Sequence, residues 1–523
     1  MEAVPQAQAV PRDVRGLSVP DEFLSRVPLR FAREHATVAI AKELRGGVLV
    51  FTLATAYPDR CWVHDRIAYK LDAPVHVVSA DEQSLLELIN RAYHAEAREV
   101  TDVAEELAAL TPVGGEITLS EDVLELDDKA PAVKLVHAML LQAVRQRASD
   151  IHLEPAEDGL RARFRIDGVL YERAKLRPAV REGIASRIKV MGRMDIAEKR
   201  LPQDGGVTIR IGDRRIDLRI ATLPSQHGER VVLRLLDKQT GLLSLQNLGY
   251  SADDQTRIQR MLELSHGIVL VTGPTGCGKT TTLYAMLSTM NSEELNILTL
   301  EDPIEYQLSG VSQTQVSEKK GLTFSKGLRA LVRQDPDVIM VGEIRDLETA
   351  SVAIQSALTG HLVLSTLHTN DAPSAVARLL DLGVEPYLTA SSVNAVIAQR
   401  LVRRVCAGCK QAEPWDDAHL LQEGFGKDEI AFLKQIGADG LTRGKGCAAC
   451  FQTGFLGRTT ISEVLLMSDP LRELVHTQAH AGEIKKAAIE RGMTTLRRDG
   501  LRKAAAGVTT LHEVRHSTQV DWE

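Results

Sequence analysis

The segment Gly273-Pro-Thr-Gly-Cys-Gly-Lys279-Thr280 constrains the fold more than any other feature of the chain. It satisfies the pattern G-x-x-x-x-G-K-[ST] at every fixed position. The apolar run HGIVLVT precedes it and TTTLYAMLSTM, a helix-forming stretch, follows it. A loop of this kind needs that context. Its glycines let backbone N–H groups turn inward around phosphate oxygens, and the helix N-terminus adds a favourable dipole. Gly273, Pro274, Thr275, Gly276, Cys277, Gly278, Lys279, Thr280 and Thr281 are therefore candidates for wrapping a nucleotide. Lys279 would reach the β- and γ-phosphates, and Thr280 would ligate Mg²⁺. The bland alternative, a chance glycine-rich turn, leaves the flanking strand and helix unexplained. Cys277 reads as a small tolerated side chain and predicts sensitivity to thiol reagents.

Three further constellations sit at the ends of apolar strands, where open α/β sheets place their ligands. LTLEDPIEY (298–306) carries Glu301, Asp302 and Glu305; VIMVGEIRD (338–346) carries Glu343; TGHLVLSTLHTN (359–370) carries His361 and His368. Acids near a magnesium nucleotide hold metal-bound water or orient the attacking water. Each alone could be an ordinary strand end or helix cap. Together, behind a phosphate loop, they point to chemistry.

Composition sets the frame. With 523 residues the chain exceeds a single core and should form roughly three or four domains. Hydrophobic residues at 44% and charged residues at 25% fit an ordinary globular protein, and aromatics at 4% make its cores aliphatic. A net charge of -7, with few aromatics for base stacking, argues against a nucleic-acid partner. The start, MEAVPQAQAV, lacks the basic and apolar regions of a signal peptide, and no apolar run is long enough to span a bilayer. A cytoplasmic protein that meets membranes only through partners is expected.

Of six cysteines, Cys61 and Cys277 stand alone, while Cys406-x-x-Cys409 and Cys447-x-x-Cys450 form two pairs. Four thiolates can enclose Zn²⁺ tetrahedrally in a closed, structural site. The alternatives are a redox dithiol, or cysteines that never meet. The segment between the pairs is longer than in a compact zinc ribbon and should carry helices of its own.

Along the chain, Val48–Leu53 and Val75–Val78 read as strands, and SADEQSLLELINRAYHAEA as a helix starting at Ser79 with Glu82 completing a capping box. Thr111–Gly115 is an expected linker. A helix over Ala130–Arg147 opens a second domain of short strands: Leu160–Ile166, an Asp167-Gly168 hairpin turn, Val169–Arg173, Val207–Ile211 and Ile216–Ile220. Its arginines gather on one sheet face, and a joint lies near Asp237–Gly249. Gly267–Thr272, Ile297–Leu300, Val338–Val341 and Leu362–Ser365 are apolar runs of a buried parallel sheet.

These motifs resemble the bacterial secretion-ATPase superfamily, which includes motors of type II secretion and of type IV pili. The phosphate loop resembles its Walker A, LTLEDPIEY its aspartate box, VIMVGEIRD its Walker B and TGHLVLSTLHTND its histidine box. The resemblance is strong over about 120–515 and weaker before. It implies an α/β fold: a RecA-like P-loop ATPase domain, an α+β (PAS-like) arginine-rich second domain, a small N-terminal partner-binding domain and a tetracysteine zinc insertion. The implied boundaries are 1–112, 116–238, 245–400, 401–458 and a helical 459–523. It implies ATP hydrolysis in a homohexamer, with Glu301 positioning water and Glu343 on the Mg²⁺ side, roles the sequence leaves interchangeable. His361 and His368 join the site, while Arg219 and Arg234 would reach the γ-phosphate. Arg329 and Arg333 would lie near the nucleotide or subunit boundary. SDIHLEP, MDIAEKRLPQDG and LPSQHGERVVLRLLDK resemble the type II secretion branch. That branch implies docking to the cytoplasmic part of an inner-membrane L component and action on the polytopic F component. A pilus-assembly or DNA-uptake ATPase is the alternative. The glycine-punctuated leucine repeat of some cyclic-di-GMP-binding pilus motors is not seen.

Overall fold

A computed structural model of the chain describes residues 14, 17–27, 29–45, 48–95, 131–211, 214–237, 243–437 and 440–518. The expected linker at 111–115 lies outside them. The chain divides into two compact units, Met1–Asp237 and Lys238–Glu523. Among the described residues no helix is long and apolar enough to cross a membrane.

Among the described residues the first unit holds two separate cores. In one, strands β1 (Thr37–Arg45), β2 (Val48–Thr55) and β3 (Val75–Ser79) form a sheet, with β1 antiparallel and β3 parallel to β2. Phe51, Leu53, Ile67, Leu85 and Leu88 pack together at its centre. Ser79 does not start a helix, because it is the last rung of the β2–β3 ladder, paired with Thr55. The helix is Glu82–Ala95, and Asp81 caps it by accepting the Ser84 N–H at 2.9 Å. Glu82 instead accepts the Tyr57 hydroxyl at 2.8 Å.

The other core lies under six antiparallel strands: β4 (Ala148–Ala156), β5 (Gly159–Ile166), β6 (Val169–Leu176), β7 (Gln203–Ile211), β8 (Arg214–Ser225) and β9 (Gly228–Asp237). Their order is β6-β5-β4-β9-β8-β7. Asp167 and Gly168 both take positive φ (48° and 90°), the turn that matches the twist of a two-residue hairpin. Helices Pro131–Arg145 and Arg181–Gly192 add Leu135, Met139, Ile184 and Ile188 to the apolar side.

The second unit is built on seven strands. They are β10 (Gly267–Thr272), β11 (Ile297–Glu301), β12 (Ser312–Gln315), β13 (Val338–Val341), β14 (Leu362–Leu367), β15 (Val393–Val405) and, after a small β16 (Lys410–Ala412) and β17 (Thr442–Gly444) pair, β18 (Phe455–Leu466). The order is β12-β11-β13-β14-β10-β15-β18, parallel except for β18. The apolar runs are uninterrupted because both faces are covered. Ile268, Leu270, Ile339, Val341 and Val363 face one core with Leu328, Ala353, Ile354 and Val376. Val269, Val271, Val338, Met340 and Leu364 face the other with Ile258, Leu283 and Met286. Period-two alternation along each strand thus feeds two helical layers.

β15 and β18 are additions that periodicity did not reveal, and the expected edges at 400/401 and 458/459 fall inside them. The tetracysteine segment between them carries helices Asp417–Gln422 and Lys427–Gln435, as its length implied. Their Leu420, Ile430 and Leu433 pack with Leu501, Ala504 and Val514 of the C-terminal helices Leu496–Ala505 and Leu511–Ser517.

Candidate functional site

β10 and β14 are parallel neighbours whose last residues, Thr272 and Leu367, are in register. The chain leaves both strands side by side, so the phosphate loop and the second histidine segment start together. The Thr272 hydroxyl lies 2.8 Å from that of Thr369 and accepts the Thr369 N–H at 2.9 Å, fixing one loop to the other. Gly273, Gly276 and Gly278 take φ of 149°, 79° and 90°, and helix Lys279–Met290 begins at once. A Cβ on Gly273 would sit 2.6 Å from the Gln399 carbonyl, so the loop closes only with glycine there.

Lys279 Nζ donates to the carbonyls of Gly273 (2.7 Å) and Pro274 (3.2 Å), folding back over its own loop. Burial lowers its pKa from the usual lysine value, which an anionic phosphate would offset. Its ammonium lies 3.5 Å from His368 Nδ1, and His368 Nε2 lies 3.4 Å from Glu343 Oε2. The other Glu343 oxygen pairs with Arg345. Lysine, histidine and glutamate thus form a line across the C-terminal ends of β10, β14 and β13. Thr280 is exposed at the helix start and Thr281 half-buried.

Two expected members make other contacts. Glu301, 3% exposed, is enclosed: it accepts hydrogen bonds from the Tyr284 hydroxyl, the Thr299 hydroxyl (2.5 Å) and Gln313 Nε2 (3.0 Å). Burial, and then the bond to Glu301, push the Tyr284 phenol up. His361 precedes β14 and His368 follows it, so the length of the strand, on the order of 20 Å, separates them. The His361 ring bonds to the Ser356 carbonyl at 2.9 Å, at the N-terminal end of β14, away from the phosphate loop. The expectation of His361 in the same site is corrected for this chain. Cys277, 4% exposed with its thiol pushed up by burial, is a poor nucleophile, which reverses the expected thiol sensitivity.

Arg219 and Arg234 are register partners on β8 and β9 of the first unit. Arg234 Nε donates to Asp150 Oδ1 at 3.0 Å. Arg329 pairs with Glu348 (2.9 Å), and Arg333 donates to the Arg329 carbonyl (2.8 Å), both on the surface.

The four cysteine sulfurs lie within 4.8 Å of one another. Cys406–Cys447 and Cys409–Cys450 are each 3.9 Å apart and Cys447–Cys450 3.7 Å. Sulfurs placed tetrahedrally at ~2.3 Å from zinc have edges of about 3.8 Å, so the set fits one ion. Backbone N–H groups of Gly446, Cys447 and Gly454 point at Cys409 and Cys450 sulfurs at 3.2–3.3 Å, the partners a thiolate needs.

Sequence reasoning missed β15's contribution. Gln399 donates to the Cys277 carbonyl at 2.8 Å, and Arg400 binds the Asn370 and Gln399 carbonyls at 2.8 and 3.0 Å. The available signal was Gln-Arg inside the otherwise apolar VNAVIAQRL.

A phosphate loop on the inner strand of a parallel sheet, with acid and histidine at neighbouring strand ends, defines a P-loop nucleotide-binding protein. More narrowly, the chain belongs to the Type II/IV secretion system protein family, whose model matches residues 125–516, and a MshEN domain model matches residues 9–99. It is 48% identical to Type II secretion system protein E of Pseudomonas aeruginosa over 84% of this chain and 86% of that one. Identity to Type II secretion system ATPase E of Vibrio cholerae is 44%, over 95% and 97%. Type IV pilus assembly ATPase PilB of Myxococcus xanthus is 42% identical, over 97% and 89%. In fold it is similar to the ATPase DotB of Yersinia pseudotuberculosis (TM-score 0.54, 19% identity, 73% of this chain and 93% of that one).

Proposed function

We propose that this chain is the ATP-hydrolysing motor of a type II secretion system, coupling hydrolysis to pseudopilus assembly and export of folded proteins across the outer membrane. The observation that carries the chemistry is the line Lys279–His368–Glu343 beside the phosphate loop. Likeness to type II secretion relatives over nearly the whole chain carries the choice of system.

Thr280 would hold Mg²⁺ together with the ATP phosphates, and the ion would supply charge neutralisation at the transferred group. Lys279 exchanges the Gly273 and Pro274 carbonyls for phosphate oxygens, so the loop is held shut by its own lysine until nucleotide arrives. Glu343 takes the acid's place on the phosphate side, and His368 relates it to Lys279. Glu301, which accepts three hydrogen bonds, braces the end of β11. Arg219 and Arg234 neutralise γ-phosphate charge in the loaded state. The four cysteines hold a structural Zn²⁺. The working form is a homohexamer at the cytoplasmic face of the inner membrane, with 1–112 docking the L component and cycling acting on the F component.

The test uses the full-length chain against detergent-solubilised inner membrane, with bound proteins identified by mass spectrometry and ATPase activity measured alongside. Recovery of an L component, with turnover lost in Lys279→Ala, is expected. A second reading, pilus assembly, is favoured by the likeness to PilB; recovery of pilus platform proteins would establish it instead.

A further inference from the structure

We propose that Gln399 is a positioning residue of the phosphate loop: its amide fixes the 277–278 peptide so that the Gly278 N–H faces the phosphates. The proposal rests on the nucleotide reading above.

In a trans peptide the carbonyl and the following N–H point in opposite directions. A loop that presents N–H groups to a ligand must turn its carbonyls into the protein, where they need donors. The Pro274 carbonyl accepts from the Cys277 N–H at 3.4 Å, and the Gly273 and Pro274 carbonyls both accept from Lys279 Nζ. That donor leaves when the lysine engages phosphate. The Cys277 carbonyl is held differently, by Gln399 Nε2 at 2.8 Å, from a strand that does not belong to the loop.

The amide is itself aimed. Gln399 is 1% exposed, and its Oε1 accepts from the Tyr250 hydroxyl at 2.6 Å and the Thr282 hydroxyl at 2.9 Å. With two hydroxyl donors at the oxygen, the NH₂ end has to face Cys277, so the amide has one orientation. Thr282 lies in the first turn of the helix that follows the loop, and its N–H binds the Gly278 carbonyl at 3.0 Å. One side chain therefore ties β15, the loop and the helix start together. The approach is close: a Cβ on Gly278 would lie 3.2 Å from Gln399 Nε2. Gln399 is a loop anchor that persists whether Lys279 holds its own carbonyls or a phosphate.

An N–H held toward a bound phosphate acts on ground and transition states alike, so losing its orientation raises KM more than it lowers kcat. Gln399→Met keeps the side-chain length and removes the donor. In the full-length chain it should raise KM for ATP, and Kd for a fluorescent ATP analogue, about tenfold, with kcat within about threefold. Tyr250→Phe keeps the ring, frees one side of the amide and should move KM the same way by about threefold; it serves if Gln399→Met does not fold. Unchanged KM and Kd in a folded Gln399→Met, with only a lowered melting temperature, would make Gln399 an ordinary core residue and overturn the proposal. Failure of the nucleotide reading looks different: the unmodified chain would neither bind the analogue nor differ from Lys279→Ala.

Discussion

Glu463→Gln should make this protein more stable at pH 8 and leave it nearly unchanged at pH 5. Glu463 lies on β18, 1% exposed, with its carboxylate accepting the N–H groups of Ala372 (2.9 Å) and Leu496 (3.4 Å). Those are the first residues of helices Ala372–Asp381 and Leu496–Ala505, so one side chain joins two helix starts. Burial, reinforced by the charge of Asp371, outweighs these bonds and pushes its pKa from 4.5 up to about 7. The folded form therefore holds a proton in a window where the unfolded chain has lost it. Stability falls as pH rises through that window, by roughly 3 kcal/mol when both forms are ionised. Glutamine removes the titration. At pH 5 it has nearly the shape of the neutral acid and loses at most the weaker acceptor contact, about 1 kcal/mol. At pH 8 it avoids the ionisation penalty, for a net gain of about 2 kcal/mol, or ~3 °C in the melting of a unit this size. Calorimetric melting of the full chain and the variant from pH 5 to 8.5 reads this directly. If the variant instead loses ground to wild type as pH rises, the carboxylate is a charged clamp on two helix dipoles and the reasoning fails.

The two candidate acids should separate. Glu343→Gln lowers kcat at least about 100-fold with little change in melting, whereas Glu301→Gln turns an NH₂ toward one of three donors and lowers stability by about 1–3 kcal/mol; equal effects on turnover would refute the distinction. Cys409→Ser should take bound zinc, read by a colorimetric chelator, from about one per chain to near zero and lower the melting temperature; retained zinc would count against the four-cysteine site. Cys61 is exposed and Cys277 buried, so a maleimide should label Cys61 at least about tenfold faster, and Cys61→Ser should abolish the fast phase.

The phosphate loop was legible because its chemistry fixes residues at fixed spacing, and the strands beside it because burial on both faces writes them as uninterrupted apolar runs. β15 and β18 escaped for the converse reason. VNAVIAQRLVRRV is interrupted by polar residues, and three of them have a local cause: Gln399 serves the loop, Arg400 the Asn370 carbonyl, and Arg403 pairs with Glu513 at 2.7 Å. Polar residues inside a buried strand broke the pattern where the strand does something besides pack.

The acids and histidines show a subtler limit. Sequence places Glu301 and Glu343 alike, each at the end of an apolar strand, and the two strands are parallel neighbours. What parts them is alternation. Along β11, Leu298 and Leu300 face one core and Ile297 the other, so Glu301 falls on the same side as Ile297 and Thr299. That is the side of helix Lys279–Met290, whose Tyr284 meets it. Glu343 stands two residues beyond the end of β13, free of the strand's alternation, and there it turns toward His368. His361 and His368 are separated by the same geometry, since a strand that brings one end to the phosphate loop carries the other end away. A motif reports which residues are near one another in sequence. The period of two decides which of them meet.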